Sequence, residues 1–153
     1  MPKLFIFGLG YSAGRIAREV QSLGWEVVAT GSKGKLSFDD RDAVLAELAS
    51  ATHVLSSVPP DRESGLDPVL STYGHDFAPA WYGYLSSTGV YGDAGGAWVD
   101  ENSPTGTGRR SARSDADALW MKLGARVFRL PGIYGPGRSI FERIEEGKAK
   151  RID

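Results

Sequence analysis

The 153-residue sequence contains no cysteine. Disulfides, thiolate nucleophiles and cysteine-based metal sites are therefore excluded. Histidine is nearly absent too: His53 and His75 are the 2 copies, at a spacing that suits no metal site. Neither sign of charge is in excess. The chain has 18 Lys and Arg against 19 Asp and Glu, a formal net charge of −1. No basic face is implied, which argues against nucleic acid as a partner. Long apolar runs are missing as well. No window approaches the roughly 18 apolar residues of a membrane-spanning helix. The opening "MPKLFIFGLG" carries an apolar run too short for a signal peptide, and the run ends in glycines. A cytoplasmic protein with no membrane partner is the expectation.

What is present is a globular composition, 41% hydrophobic and 24% charged, long enough for about one domain over residues 1–153. "KLFIFG" (3–8) reads as a buried parallel strand. "SAGRIAREVQSLG" follows with Ile16, Val20 and Leu23 at helical spacing and Gly24 as its stop. Further strands are expected at 25–31, 35–39 (the weakest), 53–58, 81–87 and 125–132. Helices are expected at 40–51, in part of 66–80, and over 110–124. Six strands alternating with helices point to an α/β fold: a Rossmann-type doubly wound parallel sheet in three layers. A flavodoxin-like strand order is the alternative.

The first strand runs into "GLGYSAGRIA". Gly8 and Gly10 match the first two glycines of the dinucleotide fingerprint, and Ala13 fills the third position, which accepts alanine. Gly8 permits a tight turn, and Gly10 lets backbone N–H groups approach a pyrophosphate. A small residue at 13 lets the helix pack close to the strand. The helix N-terminus, from Tyr11 and Ser12, then faces the phosphates. An acid about 20 residues later would hold the ribose 2′-hydroxyl of NAD. That place reads "ATGSKGK" and has none. Thr30, Ser32 and Lys33 could hold a 2′-phosphate instead, so NADP is expected, with NAD as the alternative. Three hydroxyls, Ser86, Ser87 and Thr88, crowd the end of the strand at 81–87, where a reacting group is often held. Trp81, Trp98 and Trp120 read as core or interface residues.

With "GLGYSAG", "HVLSSVPP", "YLSSTGVYGDAGGAWVDENSP" and "FRLPGIYGPGRS" in hand, the chain resembles the extended, atypical short-chain dehydrogenase/reductase superfamily. Within it, the chain is similar to NAD-dependent epimerase/dehydratase-like proteins. The resemblance covers nearly the whole chain and implies roles residue by residue. Ser87 falls on the catalytic Ser/Thr position, with Thr88 as its fallback. Asp39 resembles the acid that contacts the adenine; a helix cap is its equal alternative. Ser56, Ser57 and Val58 would line the cofactor trough, and Pro131, Gly132 and Ile133 would lie near the nicotinamide. The resemblance also implies a homodimer, paired through the helices of 66–80 and 109–123, and a C-terminal substrate lobe that these residues do not contain.

The usual Tyr and Lys of that family, four residues apart, have no standard counterpart. Aligning Asp117 on the acid that follows the Lys puts Arg113 on the Lys position and Arg109 on the Tyr position. An arginine keeps the charge but cannot donate a proton near neutral pH. No tyrosine lies between Tyr91 and Tyr134, and Tyr91 reads better as a packing residue than as a substitute acid. Two functions follow from the resemblance. One is an NAD(P)-dependent oxidoreductase or epimerase/dehydratase acting on a nucleotide sugar or small carbonyl compound. The other is a non-catalytic domain that binds or senses NADP(H).

Overall fold

A computed structural model describes residues 1–78, 81–106 and 111–148. The apolar run near the start of the chain forms β1 (Lys3–Phe7), in which Leu4 to Phe7 are all buried. It is followed by α1 (Tyr11–Ser22), β2 (Glu26–Ala29), α2 (Arg41–Ser50), β3 (His53–Ser56) and α3 (Pro68–Tyr73). The remaining elements are β4 (Trp81–Ser87), α4 (Ser111–Lys122), β5 (Arg126–Leu130) and α5 (Ile140–Glu145). The strands form one parallel sheet in the order β2-β1-β3-β4-β5. Among the described residues no helix is long and apolar enough to cross a membrane.

The expected strand at 35–39 does not form, so the sheet has five strands rather than six. Its remnant is a single parallel bridge between Thr30 and Leu36. Leu36 N–H donates to the Ala29 carbonyl, while Thr30 N–H donates to Ile6 on the opposite side. The bridge therefore stands outside β2. That is where the third strand of the Rossmann order 3-2-1-4-5-6 belongs, although the five strands that form run in the order 2-1-3-4-5 of the flavodoxin-like alternative. Two features cut the strand short. The turn closes so tightly that a Cβ on Gly34 would collide with the Ala29 carbonyl. Phe38 then turns inward against Phe7 and Tyr73, at ring distances of 6.1 and 5.2 Å.

The two sheet faces are unequally covered. On one, α2, α3 and α4 enclose the larger core, built around Phe5, Phe7, Tyr84 and Trp120. Trp120 stacks on Tyr84 at 5.3 Å, and its indole N–H donates to buried Asp67 at 2.8 Å. Asp67 also caps α3 by accepting from Leu70 N–H. Burial pushes the Tyr84 phenol well above its usual range. On the other face α1 packs through Ala13 and Ala17 onto Leu4, Ile6 and Leu55. Beside it Trp81 and Phe128, on β4 and β5, are 38% and 44% exposed. Of the three tryptophans read as core or interface, Trp120 is buried, whereas Trp98 is fully exposed on the loop after β4.

An ion pair fixes the C-terminal end of β4. Asp117, buried on α4, accepts from Ser86 Oγ at 2.6 Å and from Arg129 of β5 through two bonds of 3.1 and 2.8 Å. That carboxylate holds the Arg129 guanidinium above its ordinary pKa. The two side chains are 2% and 12% exposed, so loss of either strands a largely desolvated charge. Asp117→Ala should therefore cost about 3 kcal/mol in urea unfolding. A cost below about 1 kcal/mol would mean that the pair behaves like an exposed one.

Candidate functional site

The strand order reverses between β1 and β3, and the crevice beyond their C-terminal ends is where ligands of such sheets bind. Gly8 stands at that point with φ +82°, and a Cβ there would meet Ser57 Oγ and Val58 Cγ2 at 3.0 Å. Both its conformation and its surroundings require glycine. Three strand ends converge on it. Gly8 N–H donates to Thr30 Oγ1 at 3.2 Å, Leu9 N–H donates to the Thr30 carbonyl at 3.1 Å, and Ser57 Oγ donates to the Gly8 carbonyl. Gly10 is different: a Cβ there would touch nothing within 4 Å. Gly10 is also the N-cap of α1 and offers no side-chain cap. The first-turn N–H groups of α1 thus have no intrahelical acceptor and no side-chain cap.

A cavity of about 260 Å³ lies against this turn. It brings together Gly10 to Ala13, Ser57, Ser87, Arg113 and Pro131, residues spread across the whole sequence. Ser87 caps the 3-10 turn at Thr88–Tyr91 by accepting from Gly89 N–H at 3.1 Å. Thr88 is exposed on that turn. Tyr91 accepts from Arg129 at 3.1 Å, with the guanidinium 5.1 Å from its ring centre. It is absent from the cavity's lining, and the phenol that does line the cavity is Tyr11. Arg109 lies outside the described residues.

A second groove, of about 480 Å³, flanks α1 on the β2 side and is bordered by Gly10, Arg18, Lys33 and Lys35. Ser32 and Lys33 are exposed beside it. Thr30 does not reach it: it is 1% exposed, and its hydroxyl serves Gly8. Ser56 does not line the trough either. Strand alternation turns it to the α2 and α4 side, where it is fully buried and accepts from Val58 N–H at 3.4 Å. Val58 packs against Gly8. Asp39 is exposed and is not the helix cap; Asp40 caps α2 by accepting from Ala43 N–H.

On the face that α1 leaves open, an apolar trough of about 740 Å³ runs from Trp25, His53 and Trp81 up to Pro131, Gly132 and Ile133. Its upper rim shares Tyr11, Ser12 and Pro131 with the smaller cavity. Arg113 was expected at the site, but two further arginines there, Arg15 and Arg138, were not singled out by the sequence. They follow ordinary helix and loop residues, and nothing local marks them.

No protein-family model matches the chain, and no curated protein does. Solved structures do match. A conserved protein of unknown function from Silicibacter pomeroyi is 37% identical over 94% of this chain, with a TM-score of 0.74. A Methylobacillus flagellatus protein, named for a presumed NAD-dependent epimerase/dehydratase activity, is 24% identical over 95% of the chain, with a TM-score of 0.75. The Bordetella bronchiseptica enzyme WbmH, solved in complex with NAD+, is 17% identical over 97%, with a TM-score of 0.66. The chain spans 57%, 59% and 64% of these proteins' lengths. It has the Rossmann-type fold of the epimerase/dehydratase and short-chain dehydrogenase/reductase proteins, over 48% to 64% of their lengths.

Proposed function

We infer that the chain is a nicotinamide-dinucleotide-binding domain of the epimerase/dehydratase type, with NADP(H) its preferred cofactor. The observation that carries this reading is the unfilled space at Gly10, beside uncapped amides at the sheet's switch point. Dinucleotide pyrophosphates bind in that arrangement. The bound cofactor would supply the hydride-carrying chemistry. Tyr11, Ser12 and Ala13 would give N–H groups to the pyrophosphate, and Ser57 and Pro131 would flank the rest. Asp39 is assigned to the adenine end. Lys33, with Ser32, is assigned to a 2′-phosphate. Thr30 acts on the cofactor only through the turn that it ties.

Binding and turnover separate in this reading. Ser87 lines the cavity where a substrate oxygen, of a nucleotide sugar or a small carbonyl compound, would be held. Arg113 keeps a positive charge beside it and can hold a ribose, but an arginine cannot act as a general acid. The Tyr91 hydroxyl is engaged by Arg129, and the Tyr11 hydroxyl donates to the Pro136 carbonyl. These engagements favour a domain that binds NADP(H) without turning over substrate.

Titration by tryptophan fluorescence tests the cofactor assignment. NADPH should bind more tightly than NADH, and Lys33→Glu should narrow or reverse the preference by about 1–3 kcal/mol. Equal affinities that Lys33→Glu leaves unchanged would contradict it. A well-placed general acid contributes roughly 10²–10⁴-fold in rate. Without one, the chain should show no measurable hydride transfer to simple carbonyl or nucleotide-sugar substrates. Ser87→Ala should leave NADPH affinity nearly unchanged. Hydride transfer in the parent chain, lost on Ser87→Ala, would overturn the non-catalytic reading.

A further inference from the structure

The segment after β5 is fastened onto the head of α1. Tyr11, the first residue of that helix, donates its hydroxyl to the Pro136 carbonyl at 3.0 Å, a partner 125 residues away. The same hydroxyl accepts from Arg15 at 3.1 Å. The guanidinium of Arg15 stands 4.9 Å from the Tyr11 ring centre, and that of Arg138 stands 5.7 Å from it. Gly135 passes so close that a Cβ there would collide with the Tyr11 hydroxyl. Paired backbone bonds between Gly135 and Arg138, of 3.0 and 2.8 Å, close the loop into a tight hairpin. Arg138 is thereby held by three separate features: the hairpin, the Pro136 anchor and the aromatic ring.

Its charge has no described counter-ion. The ion pairs among the described residues involve Lys3, Arg41, Arg129 and Lys148, and Arg138 enters none of them. Yet Arg138 lines the same cavity as Gly10, Ser12 and Ala13. A braced guanidinium with no carboxylate partner among the described residues therefore shares a space with the uncapped amides of α1. Both are donors and both favour negative charge. Arginine is suited to phosphate oxygens in particular, because its planar fork can give two parallel hydrogen bonds.

We propose that Arg138 is a phosphate clamp, positioned by Tyr11, that closes on the cofactor's pyrophosphate together with the first-turn N–H groups of α1. This rests on the dinucleotide reading above. Tyr11 is the positioning residue: its ring carries the guanidinium, and its hydroxyl holds the loop that bears it. The clamp ties a residue of the last strand's loop to the first glycine turn, so that the two ends of the described chain meet on one ligand group.

Affinities without substrate present test the clamp and exclude a substrate phosphate as its target. Arg138→Gln is an exposed change that the fold should tolerate. It should weaken both NADPH and NADH roughly tenfold, the loss of one exposed charge-assisted contact. It should leave adenosine 2′-monophosphate unchanged, because that ligand carries the 2′-phosphate but no pyrophosphate. Tyr11→Leu should weaken NADPH to a similar degree, and the double variant should be little worse than either single one. Unchanged NADPH affinity in Arg138→Gln would overturn the proposal, as would an equal loss for adenosine 2′-monophosphate or full additivity with Tyr11→Leu. Gly10→Val separates this from failure of the parent reading. If Gly10→Val abolishes NADPH binding while Arg138→Gln does nothing, only the clamp fails. If Gly10→Val leaves binding intact, the dinucleotide site and the clamp fail together.

Discussion

The bond from Gly8 N–H to the Thr30 hydroxyl organises the top of this sheet. Three parallel strands end together there, and each leaves backbone groups that the ladder no longer satisfies. Thr30 takes two of them, through its hydroxyl and its carbonyl, while Ser57 takes the Gly8 carbonyl. With its polar groups used internally, the turn can be tight. The chain then leaves it directly into α1, whose first amides are the ones left unspent. The cradle is thus made by satisfying everything around it except the helix's own N-terminus.

The same geometry explains the imbalance between the sheet faces. Ala13 and Ala17 let α1 settle closely on β1 and its neighbours. No described helix covers β4 and β5 on that side, and the apolar trough is the result. The opposite face is closed by aromatic stacking and by two buried carboxylates: Asp67 joins α3 to α4, and Asp117 joins α4 to β4 and β5. The buried polar contacts are therefore concentrated at the ends of β4 and β5, on the face opposite the open trough.

Much of the fold was legible in the sequence, because its signals are local. The apolar run before "GLGYSAG", the helical spacing of Ile16 and Val20, and the apolar stretches at 53–58 and 125–132 each correspond to an element. The strand expected at 35–39 failed because the turn at Gly34 closes on Ala29 and because Phe38 is drawn inward by Phe7 and Tyr73, partners distant in sequence. Site residues divide in the same way. Gly8 and Gly10 announce themselves by pattern. Thr30 and Ser56 looked like ligand hydroxyls because sequence gives a residue's chemistry but not the direction in which it points. Arg129, Asp117, Tyr11 and Arg138 acquire their roles through contacts across the fold, and no spacing rule connects them.

The central claim is that the uncapped head of α1 is a phosphate cradle. Amide chemical shifts recorded while NADPH is added to uniformly ¹⁵N-labelled protein test it most directly. The account predicts that the N–H resonances of Tyr11, Ser12 and Ala13 move most, with Ser57 following and those at the base of the trough, near Trp25 and His53, hardly moving. Saturable shifts confined to the trough, or an α1 head that stays silent while NADPH binds, would contradict it.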